Sequence, residues 1–327
     1  MHILITGAAG MIGRKIAENL VTTGSLGGRP VTKITLQDIV EPHTYGSEET
    51  AIFPVVGDMT DHALIEHVMA ERPDVVFHLA AVVSGEAEAD LDKGYRINLD
   101  GTRALLEAIR RANYTPRFVF ASSIAVYGPP FADPIPDDVE LRPLTSYGTA
   151  KAMGELLVCD YSRRGILDGI ALRLPTICVR PGKPNRAASG FFSSIIREPL
   201  KGEETVLPVG EDVRHFFASP RSAVNFFLHA ATMDTDALKG HRALAMPGVS
   251  ASVGEEIAAL REIGGDKAVA LIRKEPDATI AGFVHNWPAN VAARRARDHG
   301  FEAESDFAGI VRAHVEDEHG GKPPILA

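Results

Sequence analysis

Residues 3–13 read Ile3-Leu4-Ile5-Thr6-Gly7-Ala8-Ala9-Gly10-Met11-Ile12-Gly13, a short run of strand-forming residues that passes straight into three glycines, each three positions after the last. An amphipathic stretch follows as far as Thr22. Gly7 suits a tight turn, Gly10 leaves room for backbone N–H groups to approach a pyrophosphate, and Gly13 lets a helix pack closely on the strand. A glycine triplet alone occurs at many helix entries. A strand before it and a helix after it make this one decide the fold.

Working outward, apolar runs of strand length alternate with longer stretches of helical period, which is the pattern of a parallel sheet covered by helices on both faces. Strands are predicted at Ile3–Thr6, Lys33–Asp38, Ile52–Val56, Val75–Leu79, Arg117–Ala121 and Ile170–Leu174, with helices near Met11–Thr22, His62–Glu71, Asp92–Ala112 and Ser146–Arg163. The fold expected is α/β, a doubly wound parallel sheet of the dinucleotide-binding kind with a smaller interleaved α/β C-terminal lobe. After Leu174 the alternation stops among Pro175, Pro181, Gly182 and Pro184. The lobe beyond is read as a helix at Phe191–Arg197, a strand and helix within Val213–Thr232, a strand at Ala243–Met246, and helices near Val253–Glu262, Asp277–Phe283 and Asn290–His299. The domain division expected is 1–174 plus about 213–240 for the cofactor, and 175–212 plus 241–327 for the substrate.

The chain has 327 residues, 45% hydrophobic and 24% charged, enough apolar material for a large core. Its 43 acidic and 34 basic residues leave a net charge of −9, which argues against nonspecific binding to nucleic acid or an anionic membrane. The longest apolar stretch, Val75 to Val83, is about half of what a spanning helix requires. The amino terminus reads as a strand entering a turn rather than a leader. Two cysteines, Cys159 and Cys178, read as thiols in a reducing compartment, and a cytoplasmic protein is expected. No metal site is expected.

The second predicted strand ends at Asp38, 25 residues past Gly13. The usual ribose-binding acid comes about 20 residues on, and the Gly24-to-Pro30 insertion absorbs the difference. A carboxylate there accepts both ribose hydroxyls and repels a 2′-phosphate, and the next residue is Ile39 rather than arginine. NAD is favoured over NADP. Asp58 follows the third strand, where it can meet the adenine amino group while Met59 packs on the ring. The fourth closes on His78-Leu79-Ala80-Ala81, with small residues for backbone approach and His78 read as a packed core histidine. Asn98 is expected to fix backbone beside the site.

Tyr147 and Lys151 stand four residues apart, on one face of a helix. A neighbouring ammonium and a nicotinamide cation would favour the phenolate. Bringing a phenol of pKa near 10 down by about three units takes roughly 4 kcal/mol of differential stabilisation. Such a pair has a high chance frequency as plain surface packing. Its meaning comes from Ser122-Ser123 at the end of the fifth strand, the edge where open parallel sheets bind ligands. Ser123 can hydrogen-bond a reacting oxygen, and Ser122 is its close rival.

Together these residues resemble the extended branch of the short-chain dehydrogenase/reductase superfamily, often labelled NAD-dependent epimerase/dehydratase. The resemblance covers nearly the whole chain. It implies Tyr147 as general acid/base, Lys151 as the group that lowers its pKa and holds the nicotinamide ribose, Ser123 on the substrate oxygen, Asp38 and Asp58 on the adenosine half of NAD, and Pro175 near the nicotinamide. Dehydratases of this family carry an Asp-Glu pair directly after the serine position, where this chain has Ile124 and Ala125, so dehydration is disfavoured. The nucleotide-sugar pattern in the second lobe is replaced by Arg214-His215-Phe216-Phe217-Ala218-Ser219-Pro220-Arg221.

The segments Ala80–Asp90, Leu172–Thr176, Val179–Asn185 and Ile196–Leu200 are similar to those of one subfamily, the D-erythronate dehydrogenases. That resemblance implies NAD-dependent oxidation of a small sugar acid, D-erythronate at C2, to 2-oxo-tetronate. A sugar acid needs a cationic or amide-rich grip on its carboxylate. The run Arg180–Arg186 holds three cations and no acid. A solvated basic loop is the alternative reading of that run. Ser84, Lys183 and Asn185 are the expected substrate contacts with Ser123 and Tyr147, and Arg180 has a competing structural reading. His215, Trp287, Arg294 and Arg295 are read as packing or surface.

Two other functions stay open at this level. A nucleotide-diphosphate-sugar 4-epimerase would use the same Tyr, Ser and Lys to oxidise and then re-reduce its sugar, and a non-catalytic NAD-sensing regulator would need none of them. By resemblance, Asp92–Ala112 and Ser146–Arg163 are expected to pair into a homodimer interface.

Overall fold

The computed structural model describes residues 1–182 and 189–326, and in it the first strand lies inside a seven-stranded sheet. Its strands are β1 (His2–Thr6), β2 (Lys33–Asp38), β3 (Ala51–Val56), β4 (Val75–His78), β5 (Arg117–Ser123), β6 (Asp168–Leu174) and β7 (Ala243–Ala245). Their order is β7-β6-β5-β4-β1-β2-β3. β1 pairs in parallel with both β2 and β4, β2 with β3, and β4 with β5. The order reverses at β1, between β2 and β4, which is where a doubly wound sheet opens a crevice at its carboxyl edge. Ile3, Leu4, Ile5, Val76, Phe77, Phe118 and Val119 are all fully buried, a continuous apolar run rather than an alternation, as a sheet covered on both faces demands.

The helices of this unit begin where side chains or backbone can cap them. α1 (Met11–Thr23) ends on Gly24, whose φ of 63° lets its N–H reach Leu20 O. α2 (His62–Ala70) is capped by Asp61, whose carboxylate accepts from Ala63 and Leu64. The predicted helix Asp92–Ala112 is not one α-helix. It is α-helical over Leu91–Tyr95, widens into a π turn over Arg96–Gly101, and resumes as α3 (Thr102–Ala112). α4 spans Ser146–Arg163. Between β2 and β3 the chain crosses Ile39–Thr50 without a helix, and β3 is left as an edge strand with Phe53 and Val56 about half exposed.

The chain divides into two compact units, one of Met1–Val126, Pro143–Arg173 and Val224–Leu244, the other of Tyr127–Arg142, Leu174–Ala223 and Ala245–Ala327. Residues 127–142 therefore belong with the second unit, and the return to the first begins at Val224 rather than near 213. In the second unit, Arg214–Ala218 pairs antiparallel with Val249–Ser252 and parallel with Thr176–Ile177. Thr205–Leu207 pairs with Ile272–Lys274. The predicted helix Val253–Glu262 continues to Val269 across a non-helical Gly265, Asn290–His299 contracts to Arg294–Asp298, and a helix at Phe307–His319 lies beyond those expected. Phe192, Ile195, Phe217, Leu260, Phe307 and Ile310 form this unit's core.

Candidate active site

The glycine turn is shaped by contacts that leave no space for a side chain. Gly7 has φ of 74°, and a Cβ there would sit 2.7 Å from Ala80 N. At Gly13 a Cβ would sit 2.5 Å from Gly7 O. Gly10 N donates to Gly7 O at 3.1 Å and Ala8 N to Gln37 O at 3.1 Å, so the turn is closed on itself and on the end of β2. α1 starts at Gly10 with no side-chain cap and no acid in its first turn, leaving an N-terminus receptive to an anion.

Asp38, at the end of β2, accepts the N–H of Ala9 at 2.9 Å and that of Val40 at 3.3 Å. Asp58 follows β3 and accepts from Thr60 N and Oγ1, both at 2.8 Å, and from Arg96 at 2.7 Å. Burial pushes its pKa up, but the Arg96 and Thr60 hydrogen bonds outweigh that and hold the carboxyl below its ordinary value. Met59 is only 4% exposed and belongs to the same core cluster as Ile65 and Leu106. Its side chain packs against this core.

Leu79, Ala80 and Ala81 run on from β4, and Leu79 N is held by Thr6 O at 3.1 Å. Asn98 sits in the π turn, 1% exposed, and grips Val82 from both sides, its Oδ1 accepting from Val82 N at 2.8 Å and its Nδ2 donating to Val82 O at 3.1 Å. The extra residue of a π turn commonly marks such a site. His78 bridges Thr6 at 2.8 Å and Thr102 at 2.9 Å, and burial lowers its pKa to about 3, with Lys151 adding to the effect. It is a neutral packing residue.

α4 is capped by Thr145, whose hydroxyl accepts Gly148 N at 3.0 Å. The helix can enter here because residue 148 is glycine, since a Cβ would lie 2.2 Å from Ala125 O. This close approach seats Tyr147 beside the short turn Ile124–Val126 that follows β5. Ser123 accepts the N–H of Ala125 at 3.1 Å and is half-buried, with its proton available to another partner. Ser122 is 2% exposed and donates to Glu155 at 2.5 Å, so its hydroxyl is committed to a buried carboxylate. Lys151 is 3% exposed, donates to Ala121 O at 2.7 Å, and lies 5.6 Å from the centre of the Tyr147 ring. Burial draws its pKa down to about 8, against the opposing pull of Glu155.

Ser84 is half-buried in the first turn of a short helix, Ser84–Ala89. That helix is tied to α4 by Glu88, which accepts both the N–H and the hydroxyl of Ser146 at 2.6 Å. Pro175 is buried directly after β6. Lys183, Asn185 and Arg186 lie outside the described residues. Arg180 donates to Ile177 O and Ser189 Oγ, a structural use. His215 is stacked on Phe192 at 5.1 Å and hydrogen-bonded to Thr176, and burial lowers its pKa to about 3. It packs the second unit's core. Cys178 is buried, and burial raises its thiol's pKa well above the ordinary value. Among the described residues no helix is long and apolar enough to cross a membrane. Sequence reasoning missed Glu155 and Arg173, although the spacing 147, 151, 155 is visible in the chain.

The sequence profile described as the NAD dependent epimerase/dehydratase family matches residues 3–242. The chain is 44% identical over 321 residues to the D-erythronate dehydrogenase of Cupriavidus necator, covering 97% of this chain and 98% of that one. It is 37% identical over 316 residues to the D-erythronate dehydrogenase of Haemophilus influenzae, covering 97% and 99%. The crystal structure of the nucleoside-diphosphate-sugar epimerase from Agrobacterium tumefaciens matches with a TM-score of 0.97 and 57% identity, covering 98% of this chain and 95% of that one.

Proposed function

The chain belongs to the NAD-dependent epimerase/dehydratase family, and on that premise we propose that it oxidises a sugar acid, D-erythronate at C2, to 2-oxo-tetronate. One observation carries this reading: near full-length similarity to two D-erythronate dehydrogenases, in a chain that has Tyr147, Lys151 and Ser123.

NAD is the cofactor of this family, and the residues present fit it. The cradle is one a Cβ would fill at Gly7 and Gly13, while a Cβ at Gly10 has only Gly7 O nearby, at 3.2 Å. We assign Gly7, Gly10, Met11, Ile12 and Gly13 to the pyrophosphate, and Asp38, Asp58 and Met59 to the adenosine half. Leu79, Ala80, Ala81 and Asn98 would form the backbone wall, with Tyr147, Lys151 and Pro175 at the nicotinamide end. Bound there, NAD would supply the acceptor for the hydride that leaves C2. Tyr147 takes the proton of the C2 hydroxyl as the C–O bond becomes a carbonyl. The Lys151 ammonium favours the phenolate, and Ser123 hydrogen-bonds the substrate oxygen. Ser84, Lys183 and Asn185 hold the remainder of the acid, the lysine by pairing with its carboxylate. One hydride and one proton leave, and the carboxylate and other hydroxyls are unchanged. The same reading assigns NAD to the first unit and much of the substrate grip to the second, in a cytoplasmic protein.

The test is NADH formation, followed at the nicotinamide absorbance, with a panel of aldonates and with NAD or NADP. Turnover of D-erythronate with NAD is expected; no NADH from any aldonate would sink the proposal. A second reading is favoured by the Agrobacterium tumefaciens protein, which is named an epimerase. A nucleotide-sugar 4-epimerase regenerates its cofactor, so epimer formation without net NADH would select it. A homodimer is also proposed, supported by Met153 and Leu156, which are 41% and 68% exposed on α4. Sedimentation velocity at a monomer mass would remove it.

A further inference from the structure

One helical turn beyond Lys151 stands Glu155, 2% exposed in the interior of the first unit. Arg173 of β6 meets it with Nε at 3.0 and 3.1 Å from its two oxygens and Nη2 at 2.8 Å, and Ser122 donates to it at 2.5 Å. Arg173 is itself only 8% exposed. Removing two charges from water is costly, and in many proteins an apolar pair of the same volume serves the fold as well. Stability alone therefore does not account for an ion pair here. Its location does: the helix face that carries Tyr147 and Lys151 continues to this carboxylate one turn on, and β5 supplies both Ser122 to it and Ala121 O to Lys151.

We propose that Glu155 is a positioning residue of the reaction, which through Arg173 and Ser122 anchors the end of β5 and through its charge keeps Lys151 an ammonium. The proposal rests on reading Lys151 as the cation that serves Tyr147. Lys151 donates to a neutral carbonyl and lies over the rings of Phe120 and Tyr147, and among the described residues Glu155 is the charge that acts on it. His78 on β4 is buried and neutral, Arg173 on β6 is a cation, and Tyr147 on the same helix is the phenol the ammonium serves. Burial draws the Lys151 pKa down and Glu155 opposes it. With Glu155 neutral, desolvation would act unopposed and Lys151 would lose its proton at lower pH.

The test uses the full chain without cofactor or substrate, so its failure is separable from failure of the sugar-acid reading. Lysine labelled with carbon-13 at Cε is titrated by NMR, with Lys151→Met identifying the Lys151 signal. In Glu155→Gln the Lys151 midpoint should fall by about one pH unit, a tenfold loss of proton affinity. Because Glu155→Gln strands Arg173, the double variant Glu155→Gln/Arg173→Gln is the second arm; it should fold and keep a lowered midpoint. An unchanged midpoint in either folded variant overturns the proposal. A double variant that does not fold also counts against it, since the pair would then serve folding rather than charge.

Discussion

The carboxylate of Asp38 accepts the backbone N–H of Ala9 at 2.9 Å, so the end of β2 and the glycine turn are joined by a charge-assisted hydrogen bond. The acid read as the ribose ligand also shapes the loop read as the pyrophosphate cradle.

Replacing Asp38 with alanine should therefore weaken NAD twice over, by removing ribose acceptors and by loosening the turn. A hydrogen bond to a charged group is worth about 1.5–3 kcal/mol, so KM for NAD should rise tenfold or more. The preference for NAD over NADP should narrow, as kcat/KM for each cofactor will show. An unchanged ratio would mean that this carboxylate is not what rejects a 2′-phosphate.

Gly148→Ala places a methyl 2.2 Å from Ala125 O, against backbone that has nowhere to retreat. Overpacking of this kind costs about 1–3 kcal/mol, and here it also moves Tyr147. We expect a lower Tm and a kcat reduced more than tenfold. Gly282→Ala, in a helix with no atom within 4 Å of its Cβ, is the control and should leave kcat unaltered.

Tyr147→Phe keeps the ring and removes the proton acceptor. The loss in kcat should be on the order of 10²–10⁴ with the circular dichroism spectrum retained. Undiminished turnover would contradict the general base.

His78 and His215 each have a folded pKa near 3, against 6.5 for an ordinary imidazole, because burial disfavours their cations. Unfolded, each takes up a proton as pH falls through about 6.5; folded, neither does until about pH 3. Between those values the unfolded chain binds more protons, so stability is complete above the window and declines as pH falls through it. Each histidine should cost about 1.4 kcal/mol per pH unit there. Denaturant midpoints from pH 7.5 to 4 will show the slope, and His78→Gln should reduce it if the mutant folds.

Much of the first unit is legible in the chain because its signals are local. A strand, three glycines and an amphipathic helix occupy residues 2–23, and α4 follows directly from its Thr145 cap and helical period. The long helix after Asp92 misleads because nothing in its residue types marks the widening into the π turn, where Asn98 binds the distant Val82. In the second unit, strands of two to four residues are too short to show a period. The helix Phe307–His319 did carry a readable sign, Asp306 capping Gly309 ahead of Phe307, Ile310, Val311 and Val315, but buried His314 interrupts its apolar face. At the site, Tyr147, Lys151 and Ser123 stand out by type and spacing. Glu155 and Arg173 do not, because they come together only when α4 lies against β6.

β3, left open where the helix after β2 is missing, bears on how the protein behaves in concentrated solution. An uncovered strand with exposed Phe53 and Val56 would ordinarily invite a neighbouring molecule to extend the sheet. Pro54 stands between them in the strand and has no N–H to offer. A sheet tolerates proline at its edge, and there it interrupts the ladder an incoming strand would need. The same residue that the fold accommodates at its margin thus discourages the chain from growing into aggregates.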